Sequence, residues 1–212
     1  MADVIPASHP QALAAAVHVI QEGGLVCFPT DTVYGIGAAA ADDAAVRRLY
    51  AVKGRPLDKP LPLLLAEAGD AARVAEVTPL VRALAHRFWP GALTIVMRKS
   101  PSYRSLALAG GDTVAVRVPD YEFVRRMVRD LGWPVTGTSA NRAGARAAVS
   151  SAEVAFQLGE MVDLIVDGGR LSGGAESTVV DITAAPPEVL REGAVSRAEV
   201  EAVLRQAVSS QT

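Results

Sequence analysis

The sequence is poor in several residue types on which common protein chemistries depend. Its 212 residues include one cysteine, Cys27, and three histidines. A single cysteine excludes an intramolecular disulfide and a cysteine-based zinc cluster. No histidine has a partner at metal-ligand spacing, and we expect all three to be exposed on or beside predicted helices. Because Cys27 lies inside an apolar stretch, we expect a buried thiol there and not a nucleophile.

Long apolar runs and an excess of one charge are also missing from the sequence. No stretch reaches the ~18 uninterrupted apolar residues of a membrane-spanning helix, and the first residues lack the basic-then-apolar pattern of a secretion signal. We therefore expect a soluble, cytoplasmic protein without a membrane partner. The formal net charge of −2 argues against a general nucleic-acid binder, although it leaves a local basic groove open.

Several motifs of covalent and phosphate-binding catalysis are likewise missing. Residues 168–178 are glycine-rich and follow a predicted strand, but a P-loop would require Lys where the chain has Gly174. The sequence contains no nucleophile elbow of the GxSxG type and no HExxH metal motif. An enzyme with these residues would act by positioning and charge neutralisation, not by covalent catalysis.

Predicted strands and helices alternate along the chain. The strands are predicted at 25–28, 62–66, 92–97, 114–118, 133–136, 163–166, 179–182 and 189–191. The predicted helix N-caps are Ser8, Asp42, Thr78, Asp120, Ser150 and Ser196. This order indicates an α/β fold with helices packed on one twisted, open, mixed sheet. We predict a single domain over residues 1–212, with its core at about 12–196 and a frayed tail after residue 205.

The most unusual segment is a stiff, cationic loop at residues 53–60. It places Lys53, Arg55 and Lys59 within seven residues, and its two prolines and one glycine prevent it from forming a solvated helical face. Such a loop suits an anion, of which phosphate is the commonest.

Small polar residues follow two of the predicted strands, at positions where α/β sheets commonly bind ligands. They lie in segment 29–37, after the strand at 25–28, and in segment 136–141, at the end of the strand at 133–136. Each segment is equally consistent with an ordinary polar turn. Arg117, inside the strand at 114–118, is consistent with a solvent-facing side chain or with a bidentate clamp on a carboxylate.

Six segments, taken in order, resemble the motifs of a known family. They are TDTVYGIG at 30–37, KGRP at 53–56, WPGALT at 89–94, AVRVP at 115–119, TSAN at 138–141 and STVVD at 177–181. Together they resemble the YrdC-like family of threonylcarbamoyl-AMP synthases over roughly residues 12–196. The resemblance implies an α/β twisted open sheet with a positively charged concave face.

The resemblance also implies a reaction. In it, L-threonine, bicarbonate (or CO2) and ATP give L-threonylcarbamoyl-AMP and pyrophosphate. Downstream transferase proteins then pass the threonylcarbamoyl group to an adenosine beside the tRNA anticodon. The implied cofactor is Mg²⁺ bound with ATP, and we predict no metal ligand on the protein itself.

Roles for individual residues follow from the same resemblance. The predicted catalytic residues, which neutralise phosphate charge, are Lys53 and Arg55. The predicted threonine contacts are Thr32, Arg117, Thr138 and Ser177, with Arg117 on the α-carboxylate. The predicted nucleotide contacts are Arg55, Lys59, Thr113, Ala140, Ser150 and Arg191. Some members of the family have Asn in place of Lys59, and His in place of Leu64, where that His helps line the amino-acid site.

Two other functions are compatible with the sequence. One is a non-catalytic module that binds double-stranded RNA or tRNA through a groove of cations, namely Arg47, Arg48, Lys53, Arg55, Lys59, Arg142 and Arg146. A reader of RNA shape needs phosphate contacts but not hydroxyls clustered at strand ends. The other is a protein of the same fold that acts on a different substrate, because a fold does not determine a substrate.

Overall fold

Eleven strands and six α-helices alternate along residues 2–209, the residues that the computed structural model of the protein describes. The strands are β1 (Asp3–Pro6), β2 (Val26–Phe28), β3 (Gly35–Gly37), β4 (Leu63–Leu64), β5 (Leu93–Arg98), β6 (Thr113–Arg117), β7 (Val135–Thr136), β8 (Thr138–Ser139), β9 (Leu164–Asp167), β10 (Thr178–Asp181) and β11 (Glu188–Arg191). The α-helices are α1 (Ala12–Gln21), α2 (Asp43–Lys53), α3 (Pro79–Phe88), α4 (Glu122–Leu131), α5 (Ser151–Leu158) and α6 (Arg197–Ser209). The α/β prediction is therefore confirmed.

The strands form two mixed sheets instead of the single one predicted. The first has the order β1-β9-β2-β3-β8 and the second the order β11-β10-β5-β6-β4-β7. Parallel pairs such as β10 with β5 occur beside antiparallel pairs such as β5 with β6. Strands β1, β3 and β8 were not among those predicted, because each is short and has little alternation of apolar and polar residues.

The two sheets meet at β7 and β8, which are separated only by Gly137. Thr138 pairs with Ile36 in the first sheet, whereas Thr136 pairs with Leu63 in the second. A Cβ atom at position 137 would overlap the side chain of Leu64, so the chain passes closely over β4. The polar segment 136–141 is thereby positioned at the junction of the sheets.

Strand β2 is buried between two clusters of core side chains, one on each of its faces. Cys27 and Leu25 pack in one cluster of buried side chains, and Val26 and Phe28 pack in another. Because successive side chains of a strand point to opposite faces, both faces of β2 are covered. The predicted buried thiol is confirmed, and burial raises the pKa of Cys27 above its ordinary value.

Four of the six predicted N-caps are confirmed. Asp42 accepts hydrogen bonds from Ala44 N and Ala45 N, and Thr78, Ser150 and Ser196 each accept one from the first turn of α3, α5 and α6. These interactions satisfy N–H groups that a helix leaves without a partner at its start.

The other two N-caps were wrong. Helix α1 begins at Ala12 without a side-chain cap, because the preceding residues turn away from β1 with His9 N bonded to Pro6 O. The backbone N–H of Asp120 donates to Asp31, and α4 begins after Tyr121. Helix α6 continues past residue 205 to Ser209, and residues 210–212 lie outside the described residues, so the single domain with a frayed tail stays a prediction.

The exposure of the histidines agrees with the sequence prediction. All three histidines are exposed, and residues 2–209 contain no cluster of three or more side chains suited to hold a metal. Within the same residues, no helix combines the length and the apolar character needed to cross a membrane.

Candidate functional site

Two adjacent cavities lie where side chains of both sheets converge. The first has a volume of about 310 Å³ and is lined by residues of β2, β3 and β8 from one sheet and of β4, β5, β6, β10 and β11 from the other. The second has a volume of about 520 Å³ and lies against the cationic loop. The residues that line both cavities are Arg55, Thr138, Ser139, Glu176 and Arg191.

Arg117 is held rigidly at the first cavity. Its Nη2 donates to Asp31 Oδ1 at 2.7 Å, its Nη1 to Thr32 Oγ1 at 3.0 Å, and its Nε to Gly91 O at 2.9 Å. The residue is 7% exposed, so the solvent-facing interpretation is wrong. Burial lowers the pKa of its guanidinium, and the charge of Asp31 opposes this shift.

Arg117 keeps donors for a ligand. Of the five N–H groups of a guanidinium, three have acceptors among the described residues, which leaves two. A planar, immobilised cation with two donors suits a carboxylate.

Hydroxyl groups surround the same space. Thr30 Oγ1 and Thr32 Oγ1 are hydrogen-bonded at 3.0 Å, and Thr94 Oγ1 and Ser177 Oγ at 2.9 Å. Thr138 also lines the first cavity, so all four predicted threonine contacts lie together there. Thr94 was not predicted, because nothing in a β-strand pattern distinguishes a buried threonine with a functional neighbour from one that only packs.

Leu64 gives the first cavity an apolar wall. The residue is 5% exposed and lies on β4, and its side chain occupies the space that a Cβ atom at Gly137 would need. It occupies the position where some members of the YrdC-like family have His. The wall therefore presents methyl groups, and not a hydrogen-bonding ring, to a ligand.

Lys53 lines the second cavity, but its ammonium group points into the protein. Its Nζ donates to Ser139 O at 2.6 Å, to Asn141 O at 2.7 Å and to Asn141 Oδ1 at 2.9 Å, which uses all three of its N–H groups. Burial lowers the pKa of Lys53 to about 8. The ammonium group thus fastens segment 139–141 to the end of α2.

Arg55 shapes the cationic loop. Its Nε donates to Lys59 O at 3.1 Å and its Nη2 to Pro60 O at 2.8 Å, while Tyr50 donates its hydroxyl to Lys59 O at 2.8 Å. These bonds close the loop into a compact turn, in agreement with the predicted stiffness. Arg55 and the exposed Lys59 both line the second cavity.

Arg191 connects the two cavities. Its Nη2 donates to Ser177 O at 2.8 Å, and its Nη1 forms an ion pair with Glu176 Oε2 at 2.5 Å. Sequence reasoning missed Glu176, since an acidic residue after a glycine-rich segment carries no signal of its partner.

Three of the predicted nucleotide contacts line neither cavity. Thr113 is half-buried on β6, on the same face as Ala115 and Arg117. Ala140 is buried between two lining residues and donates its N–H to Tyr34 O at 2.7 Å. Ser150 caps α5. Nucleotide contact at these positions stays a prediction.

Comparison with known proteins identifies relatives of the chain. A family model described as "Telomere recombination", whose name joins Sua5, YciO and YrdC, matches residues 18–193. A threonylcarbamoyl-AMP synthase of Pyrococcus abyssi is 41% identical over 190 residues, which cover 89% of this chain and 56% of the relative. A putative threonylcarbamoyl-AMP synthase of Mycobacterium leprae is 40% identical over 201 residues, which cover 94% of this chain and 90% of the relative.

Solved structures give the same result. Pyrococcus abyssi Sua5 complexed with L-threonine aligns with a TM-score of 0.86 at 41% identity, covering 90% of this chain and 56% of that one. Escherichia coli YciO aligns with a TM-score of 0.84 at 26% identity, covering 94% and 99%. The chain spans little more than half of the Pyrococcus protein but nearly all of the Mycobacterium and Escherichia proteins. The chain therefore belongs to the Sua5/YciO/YrdC family.

Proposed function

We propose that the protein is a threonylcarbamoyl-AMP synthase, which converts L-threonine, bicarbonate (or CO2) and ATP into L-threonylcarbamoyl-AMP and pyrophosphate. The observation that carries this proposal is the contact between a cavity built around Arg117 and a cavity lined by Arg55, Lys59 and Arg191. The first suits an amino-acid carboxylate and the second suits phosphates. The names of the relatives, and the L-threonine in one of their structures, support it.

The chemistry matches what these residues offer. The threonine amine adds to CO2 and gives a carbamate, whose oxygen attacks the α-phosphate of ATP as pyrophosphate leaves. Covalent catalysis would need a nucleophilic side chain, and the described lining of the two cavities contains no cysteine or histidine. Its two lysines are Lys53, which is fully hydrogen-bonded, and Lys59, which is exposed. The enzyme would instead position the carbamate against the phosphate and neutralise charge.

Each cavity would hold one reactant. Arg117 would bind the α-carboxylate through its two remaining N–H groups, with Thr32, Thr138 and Ser177 around the rest of the amino acid. In the second cavity, Arg55, Lys59 and Arg191 would neutralise the phosphates. Lys53 would act there by holding segment 139–141 in place, with its positive charge behind the cavity wall.

Mg²⁺ fits this proposal only as a complex with ATP. The described lining of the second cavity offers four cations and one carboxylate, Glu176, and the latter is paired with Arg191. This donor set does not fit a metal ion held by the protein. We derive charge neutralisation from the protein's own cations for that reason.

We place the reaction in the cytoplasm and assign its product to transferase proteins that modify tRNA.

The alternative of an RNA-binding module has less support. Of its proposed groove cations, Lys53 is buried and Arg48 is paired with Asp163 at 2.6 Å, so neither is free to contact an RNA phosphate. RNA binding with a steep salt dependence, and no adenylate formed, would favour that alternative.

The test is an incubation of the purified protein with ATP, Mg²⁺, bicarbonate and one amino acid at a time, followed by mass spectrometry and a pyrophosphate assay. We expect an adenylate that depends on threonine and bicarbonate. Arg55→Ala should lower kcat/KM by the equivalent of about 1.5–3 kcal/mol, since a charge-assisted contact to phosphate is lost.

Arg98→Ala is the matched control for Arg55→Ala, because Arg98 is exposed at the end of β5 and lines neither cavity. We expect it to keep wild-type turnover. Unchanged turnover in Arg55→Ala would contradict the role of the cationic loop, and an adenylate with another amino acid would indicate a different substrate for the same fold.

A further inference from the structure

Glu176 is the one carboxylate that lines either cavity, among the residues that the structure describes. All the other charged residues around it in the lining are cations: Lys53, Arg55, Lys59, Arg117 and Arg191. Glu176 belongs to both linings, so it lies where the two cavities join. An acidic side chain at this point reduces the positive charge that would stabilise phosphates. Charge neutralisation therefore does not explain why a carboxylate is there.

Glu176 is also the group best able to accept a proton there. The described lining of both cavities contains no histidine, cysteine or tyrosine. The Lys53 ammonium donates all of its N–H groups to backbone and amide oxygens, and arginine does not lose its proton in proteins. Only one oxygen of Glu176, Oε2, has a hydrogen-bond partner among the described residues, so Oε1 is available.

The proposed reaction releases a proton at this place. A threonine ammonium group and bicarbonate together give the carbamate, one water molecule and a single proton. The amine must lose a proton before its lone pair can attack, and it must do so beside the carbon that will bridge to the phosphate. This position corresponds to the junction of the amino-acid and nucleotide cavities.

We propose that Glu176 is a catalytic residue that accepts this proton, an inference that rests on the proposed function. An N–H bond of the ammonium group breaks and its proton moves to Glu176. The freed lone pair forms the C–N bond to CO2, and one C=O electron pair moves onto the oxygen that will attack the phosphate. The hydroxide left when bicarbonate yields CO2 takes the second amine proton as water.

Solvent access completes the step. The Glu176 side chain is 36% exposed, so the proton passes from its carboxyl group to water. Arg191 holds the other oxygen at 2.5 Å and keeps the carboxylate at the junction. When phosphates arrive, their charge competes with Glu176 for the same Arg191 guanidinium.

The experiment compares Glu176→Gln with the wild type over about pH 6.5 to about 9, across the range in which amines begin to lose their protons. The ratio of the two kcat/KM values for threonine is the readout, because the CO2–bicarbonate equilibrium affects both proteins equally. Glu188→Gln is the matched control, since Glu188 is exposed on β11 and lines neither cavity. Calorimetric binding of a non-hydrolysable ATP analogue measures whether Arg191 is still in place.

We expect Glu176→Gln to lose about 10²-fold or more of kcat/KM near neutral pH, the usual contribution of a general base. The loss should shrink as the pH rises, because the free amine then supplies its own lone pair. Binding of the ATP analogue should be unchanged, and Glu176→Asp, which keeps the carboxylate, should recover part of the activity.

Other results would overturn the inference. A loss that is the same at every pH, together with weaker binding of the analogue, would make Glu176 a positioning residue for Arg191. Wild-type kinetics in Glu176→Gln would remove it from the reaction while leaving the proposed function intact. If the wild type itself forms no adenylate, the proposed function fails and this inference fails with it.

Discussion

Most residues that line the first cavity belong to β-strands, whereas most that line the second belong to loops. In the first, Arg117 lies on a strand of the second sheet, and its partners Asp31 and Thr32 follow a strand of the first. In the second, the cations lie mainly on segment 53–60, opposite segment 139–147.

The difference shows two ways to build a binding site. Strands hold the first cavity through hydrogen-bonded ladders and a packed core, so its polar groups are oriented before a ligand arrives. The second cavity depends on a buried ammonium, that of Lys53, to fasten one loop to the helix that precedes the other. We therefore expect substitutions at the first cavity and at the buried Lys53 to affect folding, and those at Arg55 and Lys59, farther along the cationic loop, to affect mainly activity.

The largest effect should come from Arg117→Leu. It leaves the Asp31 carboxylate, 17% exposed, with a single backbone donor, Asp120 N. Breaking a buried ion pair on one side costs about 3–5 kcal/mol of unfolding free energy, which urea denaturation measures. Asp31→Asn in the same chain should recover part of the loss. A change below about 1 kcal/mol, the range of exposed pairs, would show that the first cavity is not held by this network.

Lys53→Met should have the next largest effect. Three oxygens of Ser139 and Asn141 lose their cationic donor, and such hydrogen bonds contribute about 1.5–3 kcal/mol. Lys59→Met is the matched control: Lys59 is exposed, and its loss should change the unfolding free energy by less than about 0.5 kcal/mol. If Lys53→Met and Lys59→Met lowered the unfolding free energy equally, the hydrogen bonds of the buried Lys53 would not stabilise the fold more than the exposed Lys59 does.

Gly137→Ala tests the junction of the two sheets, where Gly137 and Leu64 line the first cavity. The added methyl group overlaps Leu64 and must push it into the cavity, so we expect about 1–3 kcal/mol of destabilisation from overpacking and a raised KM for threonine. Adding Leu64→Ala should relieve the overlap and restore part of the stability. An unchanged KM in Gly137→Ala would show that this wall does not contact the amino acid.

The smallest expected effect is a pH dependence of stability from Lys53. Its pKa in the folded protein, about 8, is below its ordinary value of 10.5, so between these values the unfolded chain binds the proton more tightly. The free energy of unfolding therefore rises with pH there, by about 1 kcal/mol between about pH 8 and about pH 9. The quantity to measure is the difference between the wild type and Lys53→Met, in which other titrating groups cancel. A difference that stays constant would contradict the burial of this charge.

Residue patterns predicted eight of the eleven strands and most of the helix starts, because these depend on local signals. Asp42 and Thr78 cap helices through atoms two or three residues away, so their spacing is visible in the chain. Ser8 and Asp120 have the same residue types, but contacts with β1 and with Asp31 decide their surroundings. The short strand β3 pairs with the nearby β2 and with β8, and β8 reaches its partner β3 only across about a hundred residues of sequence, so its pairing has no local signal.

The family motifs identified most of the candidate site but not the state of its charges. Lys53 and Arg55 belong to one stiff loop in the sequence, yet the structure buries the first and leaves the second on the cavity wall. In the sequence, Arg117 was consistent with a solvent-facing side chain or with a carboxylate clamp, and only the structure shows that Asp31 and Thr32 hold it. Burial and pairing depend on which distant segments pack together, and one chain's pattern does not contain that information.

By itself, then, the sequence determined the α/β class, the cationic loop and the family, since periodicity, proline placement and motif order are properties of the chain. Only the tertiary structure decided that there are two sheets, that the chain passes from one to the other at Gly137, and that Glu176 lines both cavities. The physical reason is that sheet pairing and charge burial are long-range contacts, whose energies depend on every segment that encloses them.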